Sequence, residues 1–166
     1  DQKAFDAGCD GYITKPIDTR KLPDQVAGFL ARASGQSRRS RIKILVIEDR
    51  ALDIKLADLV LSTAGHDVSA VEAAEQAFAA IKKDRPQLIL LDLDLPGMDG
   101  LALARKLKAD ADMRDICVVA VTCYSEQYPK AAALAAGCDA YLMKPINTRE
   151  LSDQLTAVAE GGDAVN

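Results

Sequence analysis

Four short apolar runs, each ending in a group that can do chemistry, restrict this chain more than any other feature of it. They are "IKILVIED" at 42–49, "LILLDLD" at 88–94, "ICVVAVT" at 116–122 and "AYLMKP" at 140–145. Runs of this length, rich in Ile, Leu and Val, predict strands buried on both faces, as in a parallel sheet. A weaker run, "HDVSAV" at 66–71, adds a fifth strand. Helix-period patterns fill the intervals: Leu52, Leu56, Leu59 and Val60; Ala74, Ala77, Phe78 and Ile81; Leu103 with Leu107; Leu151, Leu155 and Val158. Each predicts a helix with one apolar face. Five strands alternating with five helices over 42–160 predict an α/β fold. Its doubly wound, five-stranded parallel sheet is covered on both sides, because right-handed crossovers carry helices to the faces.

Composition fits that architecture and excludes others. Hydrophobic residues make up 49% of the 166-residue chain while aromatics are only 4% and Trp is absent. Such a core is aliphatic, and the length suits one domain with a remainder. No apolar run approaches the roughly 18 residues of a membrane span, and the first residues carry no secretory pattern, so a cytoplasmic protein is expected. Residues 1–41 hold eight Lys or Arg against five Asp; residues 42–166 hold 13 basic against 20 acidic residues. An acidic body argues against a nucleic-acid face, which needs clustered positive charge. Cys9, Cys117, Cys123 and Cys138 show neither zinc-site spacing nor disulfide-scaffold density and read as reduced, part-buried thiols. The lone histidine, His66, lies in a helix-to-strand turn and is expected at the surface.

Ligands of open α/β sheets sit beyond the carboxyl ends of the strands, where strand order reverses. The first strand ends in Glu48 and Asp49, the third in Asp92, the fourth in Thr122 and the fifth in Lys144 before Pro145. Like charges about 5 Å apart at an effective dielectric near 20 repel by roughly 3 kcal/mol per pair, so three carboxylates on one rim call for a cation. Lys144 neutralises one charge. A hard divalent ion with oxygen ligands, Mg²⁺ where phosphate is handled, suits the rest. A carboxylate of Asp92 in that setting can attack phosphorus to form an acyl phosphate, with Thr122 and Lys144 sharing the charge of the phosphoryl oxygens. Each residue alone has an ordinary reading. Asp49 caps the helix beginning near Ala51, Asp99 and Gly100 make a turn and cap, Tyr141 is half-buried core, and Thr122 and Lys144 are a β-former and a solvated strand end. The conjunction at one rim is what points to a site.

With these residues placed, 42–160 resembles the receiver domain of two-component response regulators, the chemotaxis-regulator type. The resemblance rests on the Glu48–Asp49 pair, Asp92 four residues before Pro96, Thr122 thirty residues further on, and Lys144 with Pro145. It implies a flavodoxin-like strand order 2-1-3-4-5 and phosphoryl transfer to Asp92 from a phosphohistidine on a histidine kinase or phosphotransfer protein. It further implies Mg²⁺ held by Asp49, Asp92 and the backbone carbonyl of Asp94, with Glu48 supporting the metal through water. Thr122 and Tyr141 then form the switch, which remodels the face of helix four, strand five and helix five for a downstream effector. The domain so implied is a phospho-accepting signalling module, not an enzyme. Cys123, Tyr124 and Asp94 depart from the family's usual residues beside the site and bear on phosphoryl lifetime rather than on its position.

"GCDGYITKPIDTR" at 8–20 returns as "GCDAYLMKPINTR" at 137–149, with four of thirteen positions changed. Residues 1–33 therefore resemble the last third of another receiver, with Lys15 and Pro16 matching Lys144 and Pro145 but with no matching phospho-acceptor. Residues 34–41, "SGQSRRSR", read as a linker, and 161–166 as a tail. A chain that begins inside a domain reads as a fragment of a tandem-receiver protein, and about 33 residues cannot enclose a sheet alone. The remnant is accordingly expected to dock on a receiver or swap into a second copy, favouring a homodimer. Two other functions compete. Asp92-Leu93-Asp94-Leu95 resembles the nucleophile motif of haloacid-dehalogenase-like phosphatases, although here the acidic pair comes first. A pseudo-receiver serving only as an interaction module is the other.

Overall fold

The computed structural model describes residues 41–161. The readings made for the remnant, for the linker up to residue 40, for Cys9 and Lys15, and for the tail beyond Gly161 lie outside them. Strand β1 (Lys43–Ile47) leads to α1 (Ala51–Thr63), β2 (Asp67–Val71), α2 (Ala74–Lys83) and β3 (Leu88–Asp92). Then follow α3 (Gly100–Ala109), β4 (Cys117–Thr122), α4 (Lys130–Ala135), β5 (Ala140–Met143) and α5 (Leu151–Ala159). The five strands pair in parallel in the order β2-β1-β3-β4-β5. This is the doubly wound, flavodoxin-like α/β fold that the alternation predicts. Among the described residues no helix is long and apolar enough to cross a membrane.

The strands divide their side chains by parity between two cores. Leu45, Ile47, Ile89, Leu91, Val118 and Ala120 face one side, where α2, α3 and α4 contribute Ala77, Ile81, Leu103, Leu107 and Ala133. Ile44, Val46, Leu88, Leu90, Val119 and Val121 face the other, against Ala57 and Leu61 of α1 and Leu151, Leu155 and Val158 of α5. Period-two alternation with both faces covered explains why the runs read as continuously apolar. The edge strand β2 has no buried residue, which accounts for its weaker pattern.

The faces predicted for α2, α3 and α5 are the buried ones. For α1 the predicted face points outward. Leu52, Leu56 and Leu59 are 76%, 46% and 67% exposed, whereas Ala57 and Leu61 are buried and Val60 is packed at the edge of the core. The helix "ALDIKLADLVLST" is apolar on nearly every side, so two interleaved series share the helical period and only the packing selects one.

His66 also departs from expectation. It is buried, with Nδ1 accepting the Ile42 backbone N–H at 3.4 Å and Nε2 lying 2.9 Å from Ser152 Oγ. Ser152 belongs to α5, so the ring joins the α1–β2 turn to the last helix. A buried polar ring needs such partners, and a residue 86 positions away supplies one of them.

Candidate functional site

Backbone hydrogen bonds continue past the strand ends and fix the loops that carry the candidate residues. Glu48 N–H donates to Val71 C=O at 3.2 Å, Leu93 N–H to Val121 C=O at 3.0 Å, and Lys144 N–H to Thr122 C=O at 2.9 Å. Glu48, Asp92, Thr122 and Lys144 thus emerge on one rim of the sheet. The turn after β3 passes through Gly97 at φ 86° and closes with Gly100 N–H on Leu93 C=O at 3.2 Å. Asp99 caps α3 as expected, its Oδ1 accepting the Leu101 N–H at 3.1 Å. Asp49 does not cap α1. The N-cap is Arg50, without a side-chain hydrogen bond, and Asp49 stays exposed.

Gly100 is held to its identity by the backbone behind Asp92. A Cβ there would stand 2.6 Å from Leu93 Cα and 2.7 Å from Asp92 C=O. Neither atom can step aside without moving the loop, so Gly100→Ala is expected to cost about 1–3 kcal/mol. Urea unfolding measures this, and an unchanged midpoint would mean that the loop yields freely.

Lys144 stands at the centre of the acidic rim. Its Nζ lies 2.5 Å from Glu48 Oε2, 2.8 Å from Asp92 Oδ2 and 3.1 Å from Asp53 Oδ2. The other oxygens of the first two carboxylates accept backbone donors: Glu48 Oε1 from Arg50 N–H at 3.1 Å, and Asp92 Oδ1 from Asp94 N–H at 3.0 Å. Glu48, Asp92 and Thr122 are buried, and the Lys144 side chain is only 10% exposed. Burial pushes the Glu48 carboxyl up to about 7; the hydrogen bond from Lys144 opposes this and the charge of Asp92 adds to it. Burial alone would lower the Lys144 ammonium, but hydrogen bonds to Asp92, Glu48 and Asp53 outweigh it and raise the group above its ordinary value.

One carboxylate oxygen from each of Glu48, Asp49 and Asp92 lies within 4.8 Å of the other two. Three hard oxygen donors so spaced fit a divalent cation such as Mg²⁺, and the trio has no thiolate or imidazole of the kind zinc prefers. Asp94 donates its N–H to Asp92 Oδ1, and the residue itself is exposed. That position gives no support to a phosphatase in which Asp94 would act beside Asp92.

Thr122 Oγ1 accepts the Tyr124 N–H at 2.9 Å. Tyr141, half-buried against the core, donates its hydroxyl to Tyr128 C=O at 2.7 Å. Of the cysteines, Cys138 is buried, Cys117 is partly buried, and Cys123 is exposed, in contrast to the part-buried thiol expected there. Burial raises the Cys117 and Cys138 thiols to about 12 and about 11, which disfavours their thiolate forms. A cleft of about 360 Å³ opens beside Lys144, walled by Leu56, Ala57, Pro145 and Ile146, with Cys123 also on its lining.

Sequence reasoning missed Asp53. It stands in the first turn of α1, not at a strand end, so the rule that gathers strand-end residues passes over it.

A doubly wound sheet with an acidic trio and a lysine at its carboxyl rim suits a divalent cation and an anionic ligand together. Residues 44–156 match the family described as the response regulator receiver domain, and the chain belongs to that family. It is 39% identical over 115 residues to the phosphate regulon transcriptional regulatory protein PhoB of Pseudomonas aeruginosa, covering 69% of this chain and 50% of that protein. To the DNA-binding response regulator MtrA of Mycobacterium tuberculosis it is 35% identical over 117 residues, covering 70% and 50%. The chain thus spans about half the length of these relatives. Among solved structures, it is similar to a putative response regulator from Chloroflexus aurantiacus, with a TM-score of 0.69 and 26% identity over 73% of this chain and 99% of that one. The receiver domain of a sensor histidine kinase from Pseudomonas aeruginosa, solved with magnesium coordinated in its active-site cleft, gives a TM-score of 0.66 and 28% identity over 73% and 99%.

Proposed function

We propose that this receiver accepts a phosphoryl group on a carboxylate oxygen of Asp92 from a phosphohistidine of a histidine kinase or phosphotransfer protein. The donor N–P bond breaks, its electron pair stays on the imidazole, and an O–P bond forms at Asp92. The observation that carries this reading is the Lys144 ammonium held between Glu48 and Asp92, with Asp49 completing an acidic trio on the same rim. Attack by a carboxylate releases no proton, so the step calls for no general base. Glu48, Asp49 and Asp92, with the Asp94 backbone carbonyl, would hold Mg²⁺, which when bound supplies positive charge to the phosphoryl oxygens. Lys144 and the Thr122 hydroxyl supply the remainder. The exposed stripe of Leu52, Leu56 and Leu59 borders the cleft beside Lys144 through Leu56 and offers a protein donor an apolar seat.

The switch follows from hydrogen bonds that phosphorylation would disturb. When the Thr122 hydroxyl turns to the phosphoryl group, Tyr124 N–H loses its acceptor. Tyr124 C=O receives Tyr128 N–H at 2.8 Å, and Tyr128 C=O receives the Tyr141 hydroxyl. Loosening the first bond therefore biases the last and remodels the surface of α4, β5 and α5 toward an effector. Signalling in the cytoplasm, and a homodimer or swap through residues 1–33, complete this reading. Calorimetric titration with Mg²⁺ and beryllofluoride tests it, with Mg²⁺-dependent binding expected. Absence of binding would instead make the chain a non-phosphorylated interaction module.

A further inference from the structure

Lys144 and the acidic trio share two carboxylates, and this creates a conflict. The ammonium touches Glu48 and Asp92, two members of the trio, so any cation entering the trio competes with it for the same carboxylates. Among the described residues, Asp53 is the one carboxylate in contact with Lys144 that stands outside the trio. Its side chain is 30% exposed, so water solvates it whether or not Lys144 is near. Arg50 Nη1 lies 3.6 Å from the same Asp53 Oδ2 and stays as a partner if Lys144 moves away. Asp53 is thus built to hold the ammonium and to release it without stranding a buried charge.

We propose that Asp53 is a positioning residue: it takes up the Lys144 ammonium when a divalent cation loads Glu48, Asp49 and Asp92, and it competes with the phosphoryl group on Asp92 for that ammonium. This deepens the phospho-acceptor reading and rests on it. Two consequences have opposite sign. Without the Asp53 charge, Lys144 presses on Glu48 and Asp92 and the site is one unit more positive, so cation binding weakens. Once the trio is loaded, Lys144 no longer divides itself between Asp53 and the incoming anion, so a phosphoryl mimic binds more tightly.

The full chain carrying Asp53→Asn, an isosteric change at a part-exposed position, is the test, with Asp53→Glu beside it. In calorimetric titrations Mg²⁺ affinity is expected to fall about fivefold, while beryllofluoride affinity at saturating Mg²⁺ rises about threefold, from loss of one unit charge near the site. Asp53→Glu is expected to bring both constants back toward the wild-type values. A structural defect would weaken both ligands together, so shifts in the same direction, or no shift in either, overturn the proposal. A wild-type chain that binds neither ligand would instead overturn the phospho-acceptor reading itself.

Discussion

Asp92→Asn is expected to abolish labelling by acetyl phosphate, by at least about 100-fold, because a neutral amide oxygen lacks the charge that makes the carboxylate a nucleophile. The substitution keeps the side-chain shape and leaves an oxygen to accept the Asp94 N–H now on Oδ1. Its effect on stability follows from two opposing terms. At an effective dielectric near 20, loss of the Lys144 contact forfeits roughly 6 kcal/mol of attraction, and loss of repulsion returns roughly 3 kcal/mol from Asp49 and less from Glu48, whose burial leaves it only partly ionised. The terms largely offset one another, and Lys144 retains Glu48 and Asp53 as partners. A thermal midpoint close to wild type, with no phosphoprotein band on a phosphate-affinity gel, is the expected pair of results. A band of undiminished intensity in Asp92→Asn would place the acceptor on another residue and undo the proposed function.

The residues around this lysine are legible in the sequence for a physical reason. Parallel strands in a doubly wound sheet are short, apolar and abruptly ended, and the fold places all their carboxyl ends on one rim. Reading the terminal residue of each run therefore gathered Glu48, Asp49, Asp92, Thr122 and Lys144 without knowledge of distances. Asp53 was not legible by the same rule. It belongs to a helix, and its contact with Lys144 spans 91 positions. The burial of His66 escaped for a similar reason, since its hydrogen bonds reach Ile42 and Ser152 across the fold. Helix faces were legible where polar residues left a single apolar stripe, as in α2, α3 and α5. In α1 they did not.

The orientation of α1 is open to a direct test, and it carries the second large effect. Leu61 is fully buried in the core that α1 shares with α5 and the sheet, so Leu61→Ala is expected to cost about 2–5 kcal/mol in transfer and cavity terms. Leu59 is two positions away and 67% exposed, and Leu59→Ala is expected to change stability by no more than about 0.5 kcal/mol. The contrast has a local cause. Ala57 is small enough to let the helix approach the sheet, and Leu61, one turn on, fills the space that approach leaves; turning the helix to bury Leu52, Leu56 and Leu59 would carry Asp53 away from Lys144. The same turn of helix thus sets both the core and the charge partner of the site. Paired urea titrations of the two variants decide the matter. A large loss for Leu59→Ala beside a small one for Leu61→Ala would mean that α1 buries the stripe of Leu52, Leu56 and Leu59, and the Asp53–Lys144 contact would fall with the orientation that makes it.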